Sequence, residues 1–448
     1  MRGKVAEALT TFRGRLAVIT LVGAAWRLFY LFVLKWNRPL LLNDSMYYSI
    51  QAGLNAEGSW FKHNLTDFPG AEHGPLTSLY LTPWSLGSGD GVNAQRLGIT
   101  LLGIVTVAVI GLVGRRAVTI GGLGVTTAER VGLVAAAIAA VYPNLWINDS
   151  LVMSETPAVL LVSLALYVAL GHHRRPTVAN GLLLGFVTGL AALARSEIAL
   201  LALGFAAVSF VVGRRRSLRI WPAAAILAGT IATLMPWTIY NAGRFEERVL
   251  LTTNDGNTLL GANCDITYYR DVGGWDVLCL GPLRAGGLGH DPWDPDPSEE
   301  SLERREQAVD YVRDHLGRVP IVVMARIGRA LDVYGIDSLL YLDTGEEKDR
   351  AAAWAGIVCW WVLALCAVAG WRRAARRRLA ARWWLLVPVI AVLLTTIAFY
   401  GAHRIRAPAE PSVVVLSAIG IVAMVERRRA PTPPAESGSA PVLADSSV

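Results

Sequence analysis

The sequence predicts an all-α, polytopic membrane protein. Of its 448 residues, 53% are hydrophobic and only 17% are charged, a balance too apolar for an ordinary soluble protein of this length. The apolar residues form long blocks rather than an amphipathic spacing, and a block of about 18 or more residues predicts a membrane-spanning helix. Every span should be helical, because lipid offers no hydrogen-bond partner to an open backbone group.

Ten apolar blocks predict about ten transmembrane helices. The first block is too long for a cleavable signal peptide, and no small-residue cleavage site follows it before "KWNRP". The blocks cover residues 16–34, 97–114, 131–147, 151–170, 178–194, 197–213, 220–239, 353–371, 383–400 and 408–425.

Basic clusters predict the orientation of these spans. With ten spans, every cluster falls on one side of the membrane, which the positive-inside rule makes the cytoplasm. The clusters are Arg13/Arg15, Arg115/Arg116, Arg174/Arg175, Arg214–Arg216 with Arg219, Arg372–Arg378 and Arg427–Arg429. Both termini are then cytoplasmic, and two long loops, about 35–96 and 240–350, lie outside. The net charge of +7 reflects this topology and not a nucleic-acid surface, which would need a basic soluble face.

The second long loop is predicted to contain two helices. Residues 298–316 should form the first, with Ser298 as N-cap and two glutamates in the first turn. The apolar stretch 319–336 is interrupted by two arginines and an aspartate. If it crossed the membrane, the cluster "RRAARRR" would move outside, against the charge pattern. We therefore expect an amphipathic helix that lies on the outer face or leans into the bundle.

The four cysteines form two pairs. Cys264 and Cys279 both lie in the second outer loop, where a disulfide can form. We expect them to be bridged; two free thiols are the alternative. Cys359 and Cys366 lie within a span and are read as packing residues. No CxxC motif or histidine-rich metal spacing occurs, so we predict no metal site and no cofactor, with a divalent cation left open.

Acids and arginines recur in four separate outer connections. Asp44 follows the first span, Glu155 follows the third, Arg195 lies between the fifth and sixth, and Arg404 and Arg406 precede the last. Ionisable groups near membrane depth are costly, so they indicate function. A carboxylate set opposite arginines suits deprotonation of a nucleophile while an anionic group, most simply a phosphate, is held.

Each of these residues also has a structural interpretation. Asp44 could cap the helix that follows it. Glu155 could be an acid at a helix N-terminus, where the positive end of the helix dipole stabilises a negative charge. Arg195 could pair only with Glu197, and the two arginines of the last connection could extend to lipid headgroups. Arg27, within the first span, must face a partner or a cavity.

Seven stretches, in order over about 40–420, resemble the membrane glycosyltransferases of the GT-C fold. The nearest branch contains the protein O-mannosyltransferases and the bacterial aminoarabinose transferases (a glycosyltransferase family 39/83-like group). The stretches are "NDSMYYSIQAGLNAEGSWF", "HGPLTSLYL", "AQRLGITLLG", "YPNLWINDSLVMSETPAVLL", "GLAALARSEIALL", "MPWTIYNAGRFEERVLLTTNDGNTLLGAN" and "HRIRAPAEPSVVVLSAIG". The chain departs from the family pattern at "NDS", Ser196, Tyr240 and Ile405, and these departures leave the sugar and the acceptor open.

The resemblance implies an activity and residue roles. Such enzymes transfer a hexose or pentose, with inversion, from a polyprenyl-phosphate carrier to an envelope lipid, glycan or protein at the outer face. Asp44 would be the general base on the acceptor hydroxyl, and Glu155 the second catalytic carboxylate, positioning acceptor or donor. The donor phosphate would be bound by Arg404, Arg406 and Arg195. The acceptor or sugar would be positioned by Tyr47, Tyr48, His73 and Asn257.

The predicted organisation has four parts. Residues 1–240 would form an N-terminal transmembrane catalytic module that includes the first extracytoplasmic loop, 35–96. Residues 241–350 would form the second loop region, 351–426 the C-terminal transmembrane helices, and 427–448 a disordered cytoplasmic tail. The protein would be a multi-pass protein of the cell membrane, with its site facing outside and membrane lipids around it.

Two other functions remain as alternatives. A transporter would need charged residues near the midplane and broken helices in related halves; apart from Arg27, the charges instead cluster at one surface. A non-catalytic subunit of an envelope-synthesis complex would bind lipid phosphate but tolerate the loss of Asp44.

Overall fold

A computed structural model describes residues 10–41, 43–63, 69–87, 91–215, 220–281 and 296–429. Within these ranges the regular elements are all helices, apart from one isolated β-bridge between Lys62 and Pro69. The N-terminal half contains α1 (Phe12–Tyr30), α2 (Asp44–Ala56), α3 (Pro75–Leu81), α4 (Gly91–Ile120), α5 (Val125–Val141), α6 (Glu155–Arg174), α7 (Val178–Ala194), α8 (Leu200–Arg215) and α9 (Trp221–Ala242). The C-terminal half contains α10 (Asp255–Gly261), α11 (Pro297–Asp314), α12 (Val319–Ala330), α13 (Ile336–Gly345), α14 (Arg350–Arg376), α15 (Ala381–Ala398) and α16 (Glu410–Arg429).

Among the described residues, eight helices are long and apolar enough to cross a membrane. They are α1 with its π-helical extension to Lys35, α4, α6, α8, α9, α14, α15 and α16, the last beginning at His403. The predicted class, an all-α polytopic membrane protein, is confirmed. The predicted count of ten is not, because the other two predicted spans correspond to α5 and α7, which have 17 residues each. At 1.5 Å per residue these are about 25 Å long, against a hydrocarbon core of about 30 Å.

A buried ion pair fastens α1 to the connection between α5 and α6. Arg27 is 2% exposed, and its Nε donates to Oδ2 of Asp149 at 2.6 Å. The guanidinium also donates to the carbonyl oxygens of Ala139 and Ala140 at 3.1 and 2.9 Å. The other carboxylate oxygen of Asp149 accepts from the hydroxyl of Thr156 at 2.8 Å. The partner that Arg27 requires is therefore Asp149, and both charges are satisfied within the bundle.

Glycine allows α14 and α16 to approach closely. A Cβ on Gly370 would lie 1.8 Å from the carbonyl oxygen of Leu416, and one on Gly420 would lie 2.3 Å from that of Cys366. Beside this contact, the hydroxyl of Ser417 donates to the carbonyl oxygen of Leu363 at 2.7 Å. Small residues and side-chain hydrogen bonds are the usual means of holding transmembrane helices together.

The helices of the second long loop differ from the prediction at the start of α11 and at the end of α12, and α10 and α13 are additional helices. Helix α11 begins at Pro297, with Asp296 as N-cap accepting from the amide of Ser298 at 2.8 Å. Ser298, predicted to be the cap, instead accepts from the amide of Glu247 at 3.0 Å. In this loop Cys264 and Cys279 form a disulfide.

The helix predicted over 319–336 is shorter than expected. It ends at Ala330, and a separate helix, α13, starts at Ile336. Between them Asp332 has φ +58° and Gly335 has φ +65°, a left-handed conformation that no α-helix continues. The reason is electrostatic, because the turn directs the carboxylate of Asp332 towards Arg406 and His403, at 2.7 Å from each.

The C-terminal helix also extends beyond its predicted end. Helix α16 continues through Arg429, so the first three residues of the predicted tail, 427–429, are helical. The remainder of that tail lies outside the described residues.

We predict that Gly370→Ala destabilises the protein. The new methyl group would clash with a backbone oxygen, so α14 and α16 must separate, and overpacking of this kind costs about 1–3 kcal/mol. The melting temperature in detergent should fall. It is measured as the temperature at which the monodisperse size-exclusion peak is lost. Gly317→Ala is the matched control, because a Cβ at Gly317 meets nothing within 4 Å. Equal melting temperatures for the two variants would contradict this account of the contact.

Candidate functional site

The site begins at the first turn of α2, where Asn43 and not Asp44 is the N-cap. The side-chain oxygen of Asn43 accepts from the amide of Ser45 at 2.8 Å. Asp44 is the first helical residue, so its carboxylate is not used for capping and is directed elsewhere. This resolves one alternative that the sequence leaves open.

The carboxylate of Asp44 binds Arg404. The Nη2 atom of Arg404 donates to Oδ2 of Asp44 at 2.5 Å. The same guanidinium donates through Nε to Oε1 of Glu155 at 3.1 Å, and its Nη1 lies 3.2 Å from Oε1 of Glu346. One arginine thus joins three carboxylates from α2, from the start of α6 and from the segment between α13 and α14.

Arg195 adds a second guanidinium to Glu155, at the same carboxylate oxygen that Arg404 binds. It lies at the C-terminus of α7, is 9% exposed, and donates from Nη1 to Oε1 of Glu155 at 2.7 Å. Its Nε donates to Glu197, also at 2.7 Å. Arg195 therefore pairs with Glu197 and contacts Glu155 at the same time. Below, the carboxylate–arginine cluster means Asp44, Glu155, Arg195, Glu346 and Arg404.

The ring of His73 lies beside Asp44 and packs against the rings of Tyr47 and Tyr48. The imidazole of His73 lies 4.9 Å from the ring of Tyr47 and 5.1 Å from that of Tyr48, between centroids. Its Nε2 is 3.5 Å from Oδ1 of Asp44. Tyr47 and Tyr48 are themselves buried. The three side chains predicted to position the acceptor or sugar thus lie together beside Asp44.

The electrostatics of Asp44 follow from these neighbours. Burial alone would raise the pKa of its carboxyl, but the positive charges of Arg404 and His73 outweigh burial and hold the pKa well below its usual value. For His73, burial would lower the pKa, and the negative charge of Asp44 reverses this and raises it. Asp44 is therefore ionised at neutral pH but is a weak base while Arg404 is bound to it.

Sequence reasoning missed the segment that follows α13. Lys348 is 6% exposed, and its Nζ donates to Asp343 at 2.9 Å and to Glu346 at 2.8 Å. The imidazole of His403 binds the other oxygen of Asp343 at 2.6 Å. Read locally, "DTGEEKD" is a polar connection ahead of a span. The one feature of this sequence that could have indicated a functional role is a lysine among four acids so close to a membrane-spanning helix.

Two predicted site residues lie outside the cluster. Arg406 is 2% exposed and is bound by Asp332 at 2.7 Å and Glu410 at 2.9 Å, so its charge is already engaged by two carboxylates. The side-chain oxygen of Asn257 accepts from Arg304 of α11, which places it in the second loop. In the contacts of the described residues, neither Arg406 nor Asn257 touches Asp44 directly; Arg406 is linked to it only through a chain of ion pairs that runs by Asp332, His403, Asp343, Lys348, Glu346 and Arg404.

Metal ligands are not grouped in the described part of the chain. Within it, no set of three or more His, Cys, Asp or Glu side chains is arranged to hold a metal ion. The cluster instead pairs each carboxylate with an arginine or a lysine.

Comparisons with known proteins give structural similarity alone. No protein-family model and no curated protein sequence matches the chain. The apo form of the Archaeoglobus fulgidus oligosaccharyltransferase is similar with a TM-score of 0.57 and 15% identity, over 93% of this chain and 51% of that one. Its complex with Zn and sulfate gives 0.55 and 16%, over 92% and 49%.

The ArnT protein of Cupriavidus metallidurans, bound to undecaprenyl phosphate, gives a TM-score of 0.41 and 16% identity, over 90% of this chain and 78% of that one. The chain spans about half the length of the oligosaccharyltransferase, 49% in one structure. At these identities the similarity to the oligosaccharyltransferase shows the fold, and the chain has the GT-C fold of membrane glycosyltransferases that its sequence predicts.

Proposed function

We propose that this protein is a glycosyltransferase that moves a sugar from a polyprenyl-phosphate-linked donor to an envelope acceptor at the outer face of the membrane. One observation carries the proposal. In a GT-C fold, a carboxylate that takes no part in helix capping lies 2.5 Å from an arginine and 3.5 Å from the imidazole of His73. A base and an anion-binding group are thereby brought together.

In the proposed reaction Asp44 accepts the proton of the acceptor hydroxyl. The acceptor oxygen forms a bond to the anomeric carbon while the bond from that carbon to the phosphate oxygen breaks, so the configuration inverts. The phosphate leaves with one more negative charge, which the guanidinium groups of Arg404 and Arg195 stabilise. A phosphate leaving group needs no strong general acid, so a single base suffices.

The pairing of Asp44 with Arg404 gives the donor a second role. While the two are bound, the low pKa of Asp44 makes it a poor proton acceptor. An arriving phosphate competes for the guanidinium, and each contact that Arg404 transfers to phosphate raises the pKa of Asp44 towards its ordinary value. Binding of the donor would therefore activate the base, and the donor would bind before the acceptor reacts.

The remaining sequence predictions enter the proposal unequally. Glu155, held between Arg404 and Arg195, would fix the spacing of the two guanidiniums. The imidazole of His73 would contact the sugar or the acceptor, and the buried rings of Tyr47 and Tyr48 would hold that imidazole in place. Arg406, bound by two carboxylates, would support the site and not bind phosphate. The basic clusters support a cytoplasmic location for both termini, which puts the cluster outside; which sugar and which acceptor are used stays open.

We predict that Asp44→Asn abolishes transfer. Loss of a general base lowers turnover by about 10²–10⁴-fold, while the amide keeps the size of the side chain. Cells that carry the variant in place of the wild type should lose one envelope glycan and accumulate its lipid-linked donor, as measured by mass spectrometry of lipid extracts. Asp310→Asn is the control, because this exposed acid of α11 pairs only with the exposed Arg313 in the contacts described. If the Asp44→Asn variant is inserted normally in the membrane and the envelope glycans are unchanged, the proposal that the protein is an enzyme is wrong.

We predict that Arg404→Lys weakens binding of the carrier phosphate. A lysine keeps the charge but loses the planar fork that reaches several oxygens at once, and a hydrogen bond to a charged group is worth about 1.5–3 kcal/mol. The dissociation constant for undecaprenyl phosphate, measured with the purified protein in detergent, should rise about tenfold to a hundredfold. Arg313→Lys, at an exposed pair on α11, should bind as the wild type does. Equal affinities for the two variants would remove Arg404 from the proposed phosphate site.

A further inference from the structure

A short segment that starts at the last residue of α13 and leads towards α14 contacts both residues that flank Asp44. We name residues 345–348 the strap. The side-chain nitrogen of Asn43 donates to the carbonyl oxygen of Gly345 at 2.8 Å. The hydroxyl of Ser45 lies 2.8 Å from Oε1 of Glu347 and 2.5 Å from Oδ1 of Asn43, and these two acceptors share its single proton. The residues before and after the candidate base are thus both anchored to the strap, across about 300 residues of sequence.

Glu347 is the centre of these anchors. Its Oε1 also accepts from the backbone amide of Leu41 at 3.1 Å, and its Oε2 binds Nη2 of Arg96 at 2.8 Å. Arg96 is fully buried and donates to the carbonyl oxygen of Arg38 at 2.8 Å. The carbonyl oxygen of Glu347 accepts from Lys35. One residue of the strap therefore holds the chain that leads from α1 into α2.

The backbone of the strap is shaped to separate its side chains. Glu347 has φ +65°, a left-handed conformation that residues other than glycine adopt rarely. The turn is closed by the amide of Lys348, which donates to the carbonyl oxygen of Asp343 at 2.9 Å. In this turn Glu346 reaches Arg404, while Glu347 reaches Ser45 and Arg96. Two adjacent carboxylates therefore act on two different parts of the site.

The anchors matter most when Arg404 has moved. Arg404 itself restrains the carboxylate of Asp44, at 2.5 Å. Once phosphate has taken that guanidinium, the polar contacts that remain on the start of α2 in the described part of the chain are its own cap, His73 and the strap. A base that drifts by about 1 Å can lose about 10²-fold in rate.

We propose that Glu347 is a positioning residue for Asp44. It acts through Ser45 and the backbone of residue 41 to hold the first turn of α2 while the acceptor hydroxyl is deprotonated, and this inference rests on the proposed function above. Because Glu347 touches neither the phosphate-binding arginines nor the imidazole of His73 in the contacts described, its loss should affect turnover and not donor binding.

The test compares Glu347→Gln, Ser45→Ala and the double variant, each purified in detergent. We expect Glu347→Gln to lower kcat by about 10–100-fold and to leave the KM for the lipid-linked donor and the dissociation constant of undecaprenyl phosphate within about twofold. Ser45→Ala should lower kcat in the same direction by a smaller factor. The double variant should lose less than the product of the two single effects, because both substitutions act on the contact between Ser45 and Glu347.

A second readout does not depend on activity. Hydrogen exchange at the amides of residues 45–48 should become about tenfold faster in Glu347→Gln, with exchange in α6 and α16 unchanged. The control is Asp310→Asn, which removes the same charge from a surface pair and should change neither kcat nor exchange.

The outcomes separate the two proposals. If the wild type transfers sugar but Glu347→Gln keeps its kcat or changes only the donor KM, the positioning role is wrong and the proposed function stands. Strictly additive losses in the double variant would also overturn it. If the wild type transfers no sugar, the proposed function fails, while the exchange data still show whether Glu347 holds the turn. If Glu347→Gln does not fold, an unchanged kcat in Ser45→Ala overturns the inference.

Discussion

The end of the bundle that carries Asp44 depends on the ion pairs of Arg404. Its guanidinium meets carboxylates from α2, α6 and the strap, three elements that are far apart in the sequence. Removing charge from water in a partly buried site is costly, and only several well-placed partners offset that cost. Without Arg404, three carboxylates would face one another with less positive charge between them. One side chain therefore links the first loop, the bundle and the second loop.

The residues of one short helical turn, His403–Arg406, have different direct partners. His403 and Arg406 bind Asp332, and Arg406 also binds Glu410, whereas Arg404 faces Asp44. Successive residues of a helix point in different directions, so neighbours in "HRIR" have different surroundings. This explains why the sequence suggested Arg404 and Arg406 together as phosphate-binding groups. The motif identifies the turn, and only the packing of α12 and α16 against it separates the two arginines.

The fold could be predicted from the sequence because the signals for membrane-spanning helices are local. An apolar block of span length predicts a helix without knowledge of its neighbours, and counting spans placed Asp44, Glu155, Arg195 and Arg404 on one side. Which side chains pair with one another cannot be read from a local stretch of sequence. Nothing in "TGEEKD" shows that Glu347 turns towards Arg96, 251 residues away. For the same reason the break at Asp332 was missed, since its cause is a pair of cations on another helix.

The length of α7 has a consequence for the lipid around the site. This helix has 17 residues, exposes Leu182, Leu183 and Phe186, and ends beside Arg195. A lipid-facing helix about 25 Å long in a hydrocarbon core of about 30 Å is accommodated by local thinning of the bilayer or by tilt. Hydrophobic mismatch at α7 would then bring lipid headgroups down towards Arg195. A carrier phosphate could approach the guanidinium while its chain stays within the leaflet.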